Sequence, residues 1–437
     1  MRFGGDRGVP LLVKAEFLEW VLRRYHMSDC HQVHHTVILT ENPGELPQPQ
    51  FGDDVATWNG ALLAAMSYKY AVTRDPATIG FLAELVDGLH FFQQVTGRRG
   101  LVARCVMKSE TPVLRATMRY AAPDGCVYYY RSDAAKGTYN QIAAGYAIML
   151  MLTGDALPEE TQKRARLDLT EMAVHLIDND YHIKEADGKK TKYGDLTPAY
   201  GPINVPFNAQ VSYMIIAAAH HFPGGDPIQQ KMIRREYERL RERHIYYVDP
   251  RQTLLPPQAV GATPLVKGVN DQNHLLNASY VALMLELDAA RKQGRPRDRR
   301  FLFEMGQTTA WTMQELADER NSLCAFMWNG LLRDPETFAT IVPQNREGAA
   351  RQAEGVLAEG IEQLRRAPID RFHYPGKRVE TREKQWLDVQ RPDEIYFWKN
   401  DAHYRWEVSG PPTALLNCGI DYLHAYWLMR FFRLAEE

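Results

Sequence analysis

The chain has 437 residues, 45% hydrophobic and 24% charged, with 52 Lys plus Arg against 54 Asp plus Glu. This gives ample apolar material for a large core and no basic field to hold nucleic acid, and no apolar run reaches the roughly 20 residues of a membrane-spanning helix. Five cysteines, Cys30, Cys105, Cys126, Cys324 and Cys418, are odd in number and free of C-x-x-C spacing, which argues against a disulfide framework or a zinc–thiolate site.

At the start, MRFGGDRGVPLLVKAEF is too charged after its short VPLLV to read as a signal peptide. A soluble protein follows, intracellular or already trimmed. LLVKAEFLEWVLRRY (11–25) reads as a helix with one apolar face. Next, HQVHH places His31, His34 and His35 near His26 without the H-E-x-x-H pattern, so a structural or surface role is expected and no metal is assigned.

GDDVATWNG (52–60) opens a helix that soon becomes as apolar as ALLAAMSYKYAV. Asp53 and Asp54 suit the positive end of a helix, and capping alone would explain them. Further apolar helices are predicted at 138–153, 206–222, 272–289 and 322–332, each with few charges, after the first at 55–72. Helices apolar all round are buried. Most are followed by a turn carrying an acid or Gly and then Pro, as in RDP (74–76), GDALP (154–158) and GGDP (224–227). After several of these turns come helices charged on one face, such as PEETQKRARLDLTEMAVHLI and DPIQQKMIRREYERLRERHI.

Two insertions interrupt this alternation. Residues 96–133 carry period-2 stretches, LVARCV and CVYYYR, around a Pro-Asp-Gly turn, and so read as β-rich. DYHIKEADGKKTKYGDLTP, covering the insertion near 181–198, reads as a hairpin around Asp187-Gly188 that returns Lys192, Tyr193 and Asp195. Its D-x-x-x-K-x-K spacing is not that of a calcium loop, and no cofactor is expected.

Buried helices alternating with amphipathic ones at a period of about 70 to 80 residues indicate stacked helical hairpins. ALLNCGIDYLHAYWLMRFFRL (414–434) supplies a sixth apolar helix, which closure against 11–25 would cover. The expected fold is all-α, an (α/α)6 toroid of six helical hairpins with small β-hairpin insertions, formed by residues 1–437 as one domain.

This pattern resembles the (α/α)6 toroids of six-hairpin glycosidases and several polysaccharide lyase families. DDVATWNGALLAAMSYKYAVTRDP, TGRRGLVAR, HLIDNDYHIKEADGKKTKYGDLTP and DYLHAYWLMRFFRL further resemble a group of uncharacterised bacterial toroid proteins. That group usually has a D-N-D-G-type stretch where GDDVATWNG stands here. The narrower resemblance implies a fold and no activity.

In such a ring the starts of the inner helices gather on one face, and polar residues recur at those starts: Asp53, Asp54, Trp58 and Asn59 at the first; Arg131, Asp133, Tyr139 and Asn140 at the second; Tyr193 and Asp195 before the third; Asn270, Asp271 and His274 at the fourth; and Trp398, Asp401, His403 and Trp406 before the last. Capping explains one polar residue per start. A shared rim explains the rest. Trp58, Tyr139, Trp398 and Trp406 are expected as flat platforms for pyranose rings, with Asn59, Arg104, Arg131, Asn140, Tyr193, Asp195 and Asn270 meeting hydroxyls.

The reading is a carbohydrate-active enzyme on an oligo- or polysaccharide, with acid–base glycoside cleavage by carboxylates from Asp54, Asp133, Asp271 and Asp401, and His274 or His403 tuning an acid. A lyase on a uronic acid would instead use Arg104, Arg131 or Asn140 as neutraliser and Tyr139, His274 or His403 as base. A non-catalytic glycan binder would keep the aromatic rim without a perturbed acid. A terpenoid-cyclase-like pocket would be far more apolar. No nucleic-acid or membrane partner is expected, and oligomeric state and compartment are not legible.

Overall fold

The computed structural model describes residues 6–40, 42, 45, 47–200, 203–247, 269–341, 346–389 and 402–435. Among them are thirteen α-helices and twelve short strands. Six helices form an inner ring: α2 (Val55–Thr73), α4 (Lys136–Thr153), α6 (Pro206–His221), α8 (Val269–Gln293), α10 (Ser322–Leu332) and α13 (Ile420–Phe431). Outside them lie α1 (Leu11–Val21), α3 (Pro76–Gln94), α5 (Glu159–Asp178), α7 (Pro227–Glu242), α9 (Arg299–Leu316), α11 (Pro335–Ile341) and α12 (Arg346–Arg366). Neighbouring inner helices contact one another in chain order, and α13 returns to α2. The (α/α)6 toroid expected from the hairpin repeat is therefore the architecture.

The inner helices are buried around nearly their whole circumference because they carry Ala, Leu, Met and Tyr where α7 carries Arg, Glu and Lys. A side chain at Gly60 would meet the Gln141 carbonyl at 2.5 Å, so α2 and α4 pack backbone to backbone there. Hydroxyls inside the ring answer one another: Tyr68 Oη lies 3.0 Å from Tyr280 Oη, across from α2 to α8. Burying such groups unpaired costs stability, and pairing removes that cost.

Three contacts close the ring. Lys14 Nζ of α1 donates to the Arg365 and Ala367 carbonyls at 2.7 and 2.9 Å, the Tyr422 hydroxyl donates to the Leu11 carbonyl at 3.0 Å, and Thr36–Ile38 pairs antiparallel with Leu415–Asn417. That last pairing shortens the sixth inner helix expected over 414–434: its first residues are a strand, and Gly419 at φ 72 starts the helix proper. The fourth inner helix is longer than expected, and α1 stops at Val21, continuing as a π turn through His26.

Both insertions are β-rich. Cys105–Lys108, Val127–Arg131 and Met118–Ala121 form a three-stranded sheet, with Asp124 accepting the Cys126 N–H (2.9 Å) in the Pro-Asp-Gly turn. His182–Lys184 pairs with Lys190–Asp195 around Asp187-Gly188. The histidine cluster is structural in its contacts: His26 Nδ1 bonds the His34 carbonyl (2.8 Å), His34 Nδ1 faces the Gln50 carbonyl (3.3 Å), and burial lowers both imidazoles to about 4. No helix among the described residues is long and apolar enough to cross a membrane.

Candidate functional site

The starts of the inner helices share one mouth of the ring. Thr57 of α2 meets Thr138 of α4 (3.0 Å), Lys136 of α4 reaches Asn208 of α6 (3.3 Å), Asn140 of α4 bonds the His274 carbonyl of α8 (3.0 Å), and Asn273 of α8 accepts from Cys324 of α10 (3.0 Å).

The best-defined arc is at α2. Asp54 occupies the N-cap position, yet its carboxylate makes no capping bond. The first-turn N–H of Ala56 is taken instead by the Arg104 carbonyl at 3.0 Å. Arg104 then turns its guanidinium back, donating from Nε to the Asp53 carbonyl (2.6 Å) and from Nη2 to Asp54 Oδ1 (3.2 Å). Arg131 pairs with the Asp53 carboxylate. The insertion sheet sets this up: Arg131 stands opposite Cys105, and the Arg104 N–H donates to the Arg131 carbonyl at 2.8 Å, so both guanidinia leave the same sheet end. The two carboxylates stay 41% and 39% exposed while the Arg104 side chain is only 9% exposed, so the arginines are anchored and the acids face the mouth.

Asp133 has a different task. At φ 65 it turns its N–H to Glu185 Oε1 and accepts the Lys192 N–H on Oδ1 at 2.7 Å, clipping the 182–195 hairpin to the mouth. Glu185, which the sequence reading passed over, is half buried. Burial raises its pKa; the Asp133 N–H and Arg98 oppose this, and the charges of Asp133 and Asp187 add to it. On the same hairpin Tyr193 is half exposed, with Lys192 Nζ 4.9 Å from its ring centre. Burial would raise the Asp195 carboxyl, but the Thr197 N–H (2.9 Å) and the Tyr200 hydroxyl (3.1 Å) bring it below its usual value.

Below the rim, three expected substrate contacts are buried. Trp58 is 4% exposed within the core, Asn59 binds the Val33 N–H and carbonyl (both 2.9 Å), and Tyr139 donates to the Gly100 carbonyl (2.6 Å). The indole lies on the packed side of α2 and cannot serve as an open platform. Burial pushes the Tyr139 phenol far above its usual value, which removes it as a base. Asn140 and Gln141 direct their amide nitrogens at His274 Nδ1 (3.1 and 3.4 Å), making that nitrogen the acceptor.

On the remaining arc the His403 carbonyl accepts the Thr381 N–H (2.7 Å), and its imidazole adds to Lys384 in holding the Asp318 carboxyl below its usual value. Trp406 is half buried and donates to the Tyr374 carbonyl (3.0 Å). Trp398 and Asp401 lie outside the described residues, as do the side chains of Asn270 and Asp271.

At the opposite mouth the inner helix ends surround a cavity of about 680 Å³ floored by Met151, Leu152, Met284, Leu287 and Phe431. Its charged residues mostly pair with carboxylates: Arg297 with Asp334, Arg295 with Glu286 and Arg291 with Asp288. Space is present there, and of the acids lining it Asp334 is 42% exposed and Asp288 13%; among the described residues no two consecutive acids line it.

No protein-family model and no curated protein matches the chain. Solved structures do. An inactive variant of the alpha-1,6-mannanase of Salegentibacter sp. HEL1_6, in complex with alpha-1,6-mannotriose, is similar with TM-score 0.50 and 12% identity over 98% of this chain and 100% of that one. An unsaturated glucuronyl hydrolase specific for heparin gives 0.45 and 10% over 96% and 95%, and the cellobiose 2-epimerase of Bacillus thermoamylovorans B4167 gives 0.43 and 9% over 97% and 100%. At 12% identity the likeness to the mannanase is one of fold, and that fold is the six-hairpin (α/α)6 toroid.

Proposed function

We propose that the chain is a glycoside-cleaving enzyme acting on an oligo- or polysaccharide at the mouth formed by the inner helix starts. The observation that carries the reading is the Asp53–Asp54 pair, two consecutive carboxylates held by separate arginines and exposed above a floor of Thr, Asn and His side chains. Glycoside cleavage needs one carboxylate to activate water or attack, and one carboxylic acid to protonate the leaving oxygen. Asp53 and Asp54 supply the first role. Glu185 supplies the second, since burial favours its protonated form and it accepts the N–H of Asp133, which stands two residues after Arg131, the partner of Asp53. The mannanase neighbour adds support: its inactive variant has two consecutive aspartates replaced.

The lyase alternative keeps Asn140, His274 and His403 but loses its other parts. Arg104 and Arg131 already answer Asp54 and Asp53, and Tyr139 spends its hydroxyl on Gly100. The test is incubation with neutral and uronic-acid polysaccharides, following both reducing ends and the absorbance of unsaturated sugars. New reducing ends without that absorbance support hydrolysis. Unsaturated products support a lyase, and no product on any polysaccharide supports a glycan binder.

A further inference from the structure

We propose that two copies of this chain associate through α1, packed antiparallel about a two-fold axis at Trp20. The outer face of α1 is the reverse of an ordinary outer helix: Val13, Phe17 and Trp20 are 49%, 43% and 54% exposed, in one stripe at i, i+4 and i+7. Large exposed apolar side chains gathered in one patch mark an interaction surface. Beside the stripe runs a groove of about 680 Å³, lined by Phe17, Trp20, Tyr25, Leu39 and Phe372 and floored by the small apolar cluster of Val21 and Leu416. One copy thus offers both an aromatic knob and a recess next to it, as a self-complementary two-fold contact needs.

The charges on α1 and on the π turn that continues it choose a second copy as the occupant. Lys14 is spent on the Arg365 and Ala367 carbonyls, and Glu19 on Lys69 and Arg23. Glu16 and Arg24 are exposed, and neither joins an ion pair among the described residues. They stand four residues before and four after Trp20, about one helical turn to either side. Antiparallel packing centred on Trp20 brings each copy's Glu16 against the other's Arg24. A parallel arrangement would set like charges against each other.

The experiment is sedimentation velocity of the full chain from about 1 to about 100 µM, the range in which a contact of modest size is populated. Wild type should pass from monomer to dimer, and Trp20→Glu should weaken the dimer more than about tenfold, as loss of a central aromatic does. Glu16→Arg and Arg24→Glu should each weaken it, and the double variant should restore it. Restoration also shows that the variants are folded. A monomer at every concentration, a dimer indifferent to Trp20→Glu, or a double variant no better than the single ones overturns the proposal. So does binding of the wild type to phosphatidylcholine–phosphatidylglycerol vesicles without self-association.

Discussion

The two mouths of the ring are built from the same six helices and differ in how their charges are spent. At the end where the helices finish, most arginines lining the cavity pair with carboxylates around an apolar floor. At the end where they start, one guanidinium is buried against a pair of neighbouring exposed carboxylates: Arg104 is 9% exposed and Arg131 25%, while Asp53 and Asp54 each keep about two-fifths of their surface. A buried cation fixing an exposed acid is costly unless well hydrogen-bonded, and it spends the cation on orientation. The consecutive acids Asp53 and Asp54 set the first mouth apart.

The largest effect expected is on turnover. Asp53→Asn and Asp54→Asn should each lower the rate on the substrate found by the polysaccharide panel by about 10²–10⁴, the usual cost of losing a catalytic acid or base, with melting temperatures near wild type. Activity within a few-fold of wild type would erase the contrast. Next, Trp58→Ala should cost about 3–5 kcal/mol in denaturant unfolding, the usual penalty for truncating a buried Trp, since its indole is core. A loss of binding at unchanged stability would return it to the rim.

Glu185→Gln sharpens the assignment of the proton donor. A donor with a raised pKa is active below that pKa, so wild-type activity should fall as pH rises through it, and the variant should lose that alkaline limb. A pH–rate profile that is lower but unchanged in shape would make Glu185 a structural clip for Asp133. The smallest effect belongs to the other mouth. Asp334 pairs with Arg297 and accepts the Thr337 N–H (2.8 Å) at the start of α11, so Asp334→Asn should cost about 1 kcal/mol and leave turnover unchanged.

Stability should fall as pH drops from about 6.5 to about 4. Burial lowers His26, His34, His175 and His221 to about 4, so in that window the unfolded chain takes up protons that the folded chain refuses. Above 6.5 that contribution is complete. Urea midpoints measured across this range check it, and a flat profile would contradict the burial.

The ring was legible because its inner and outer helices differ in composition along their whole length: α7, with Arg, Glu and Lys on its open face, cannot be confused with α6. Boundaries were less legible where tertiary pairing competed with helix propensity, as when Leu415–Asn417 joined Thr36–Ile38. The candidate site was legible only as a set of helix starts, where Asp53 and Asp54 meet Arg131 and Arg104. What sequence could not show was depth. Trp58, Asn59 and Tyr139 lie within one turn or so of their helix starts yet point into the packing, because the α2–α4 contact at Gly60 leaves no gap for them to line. Glu185 was missed for a related reason: beside Asp187 and Gly188 it reads as a solvated turn flank, and only the fold brings it against Asp133.

Where an oligosaccharide sits can be measured directly by hydrogen–deuterium exchange on Asp54→Asn, with and without a fragment cut from the polysaccharide that the wild type degrades. A site at the inner helix starts requires slowed exchange in 52–60, 131–140 and 182–195, with 71–74, 284–297 and 330–334 unchanged. Protection confined to those last segments would place the sugar at the opposite mouth and contradict the assignment of Asp53 and Asp54.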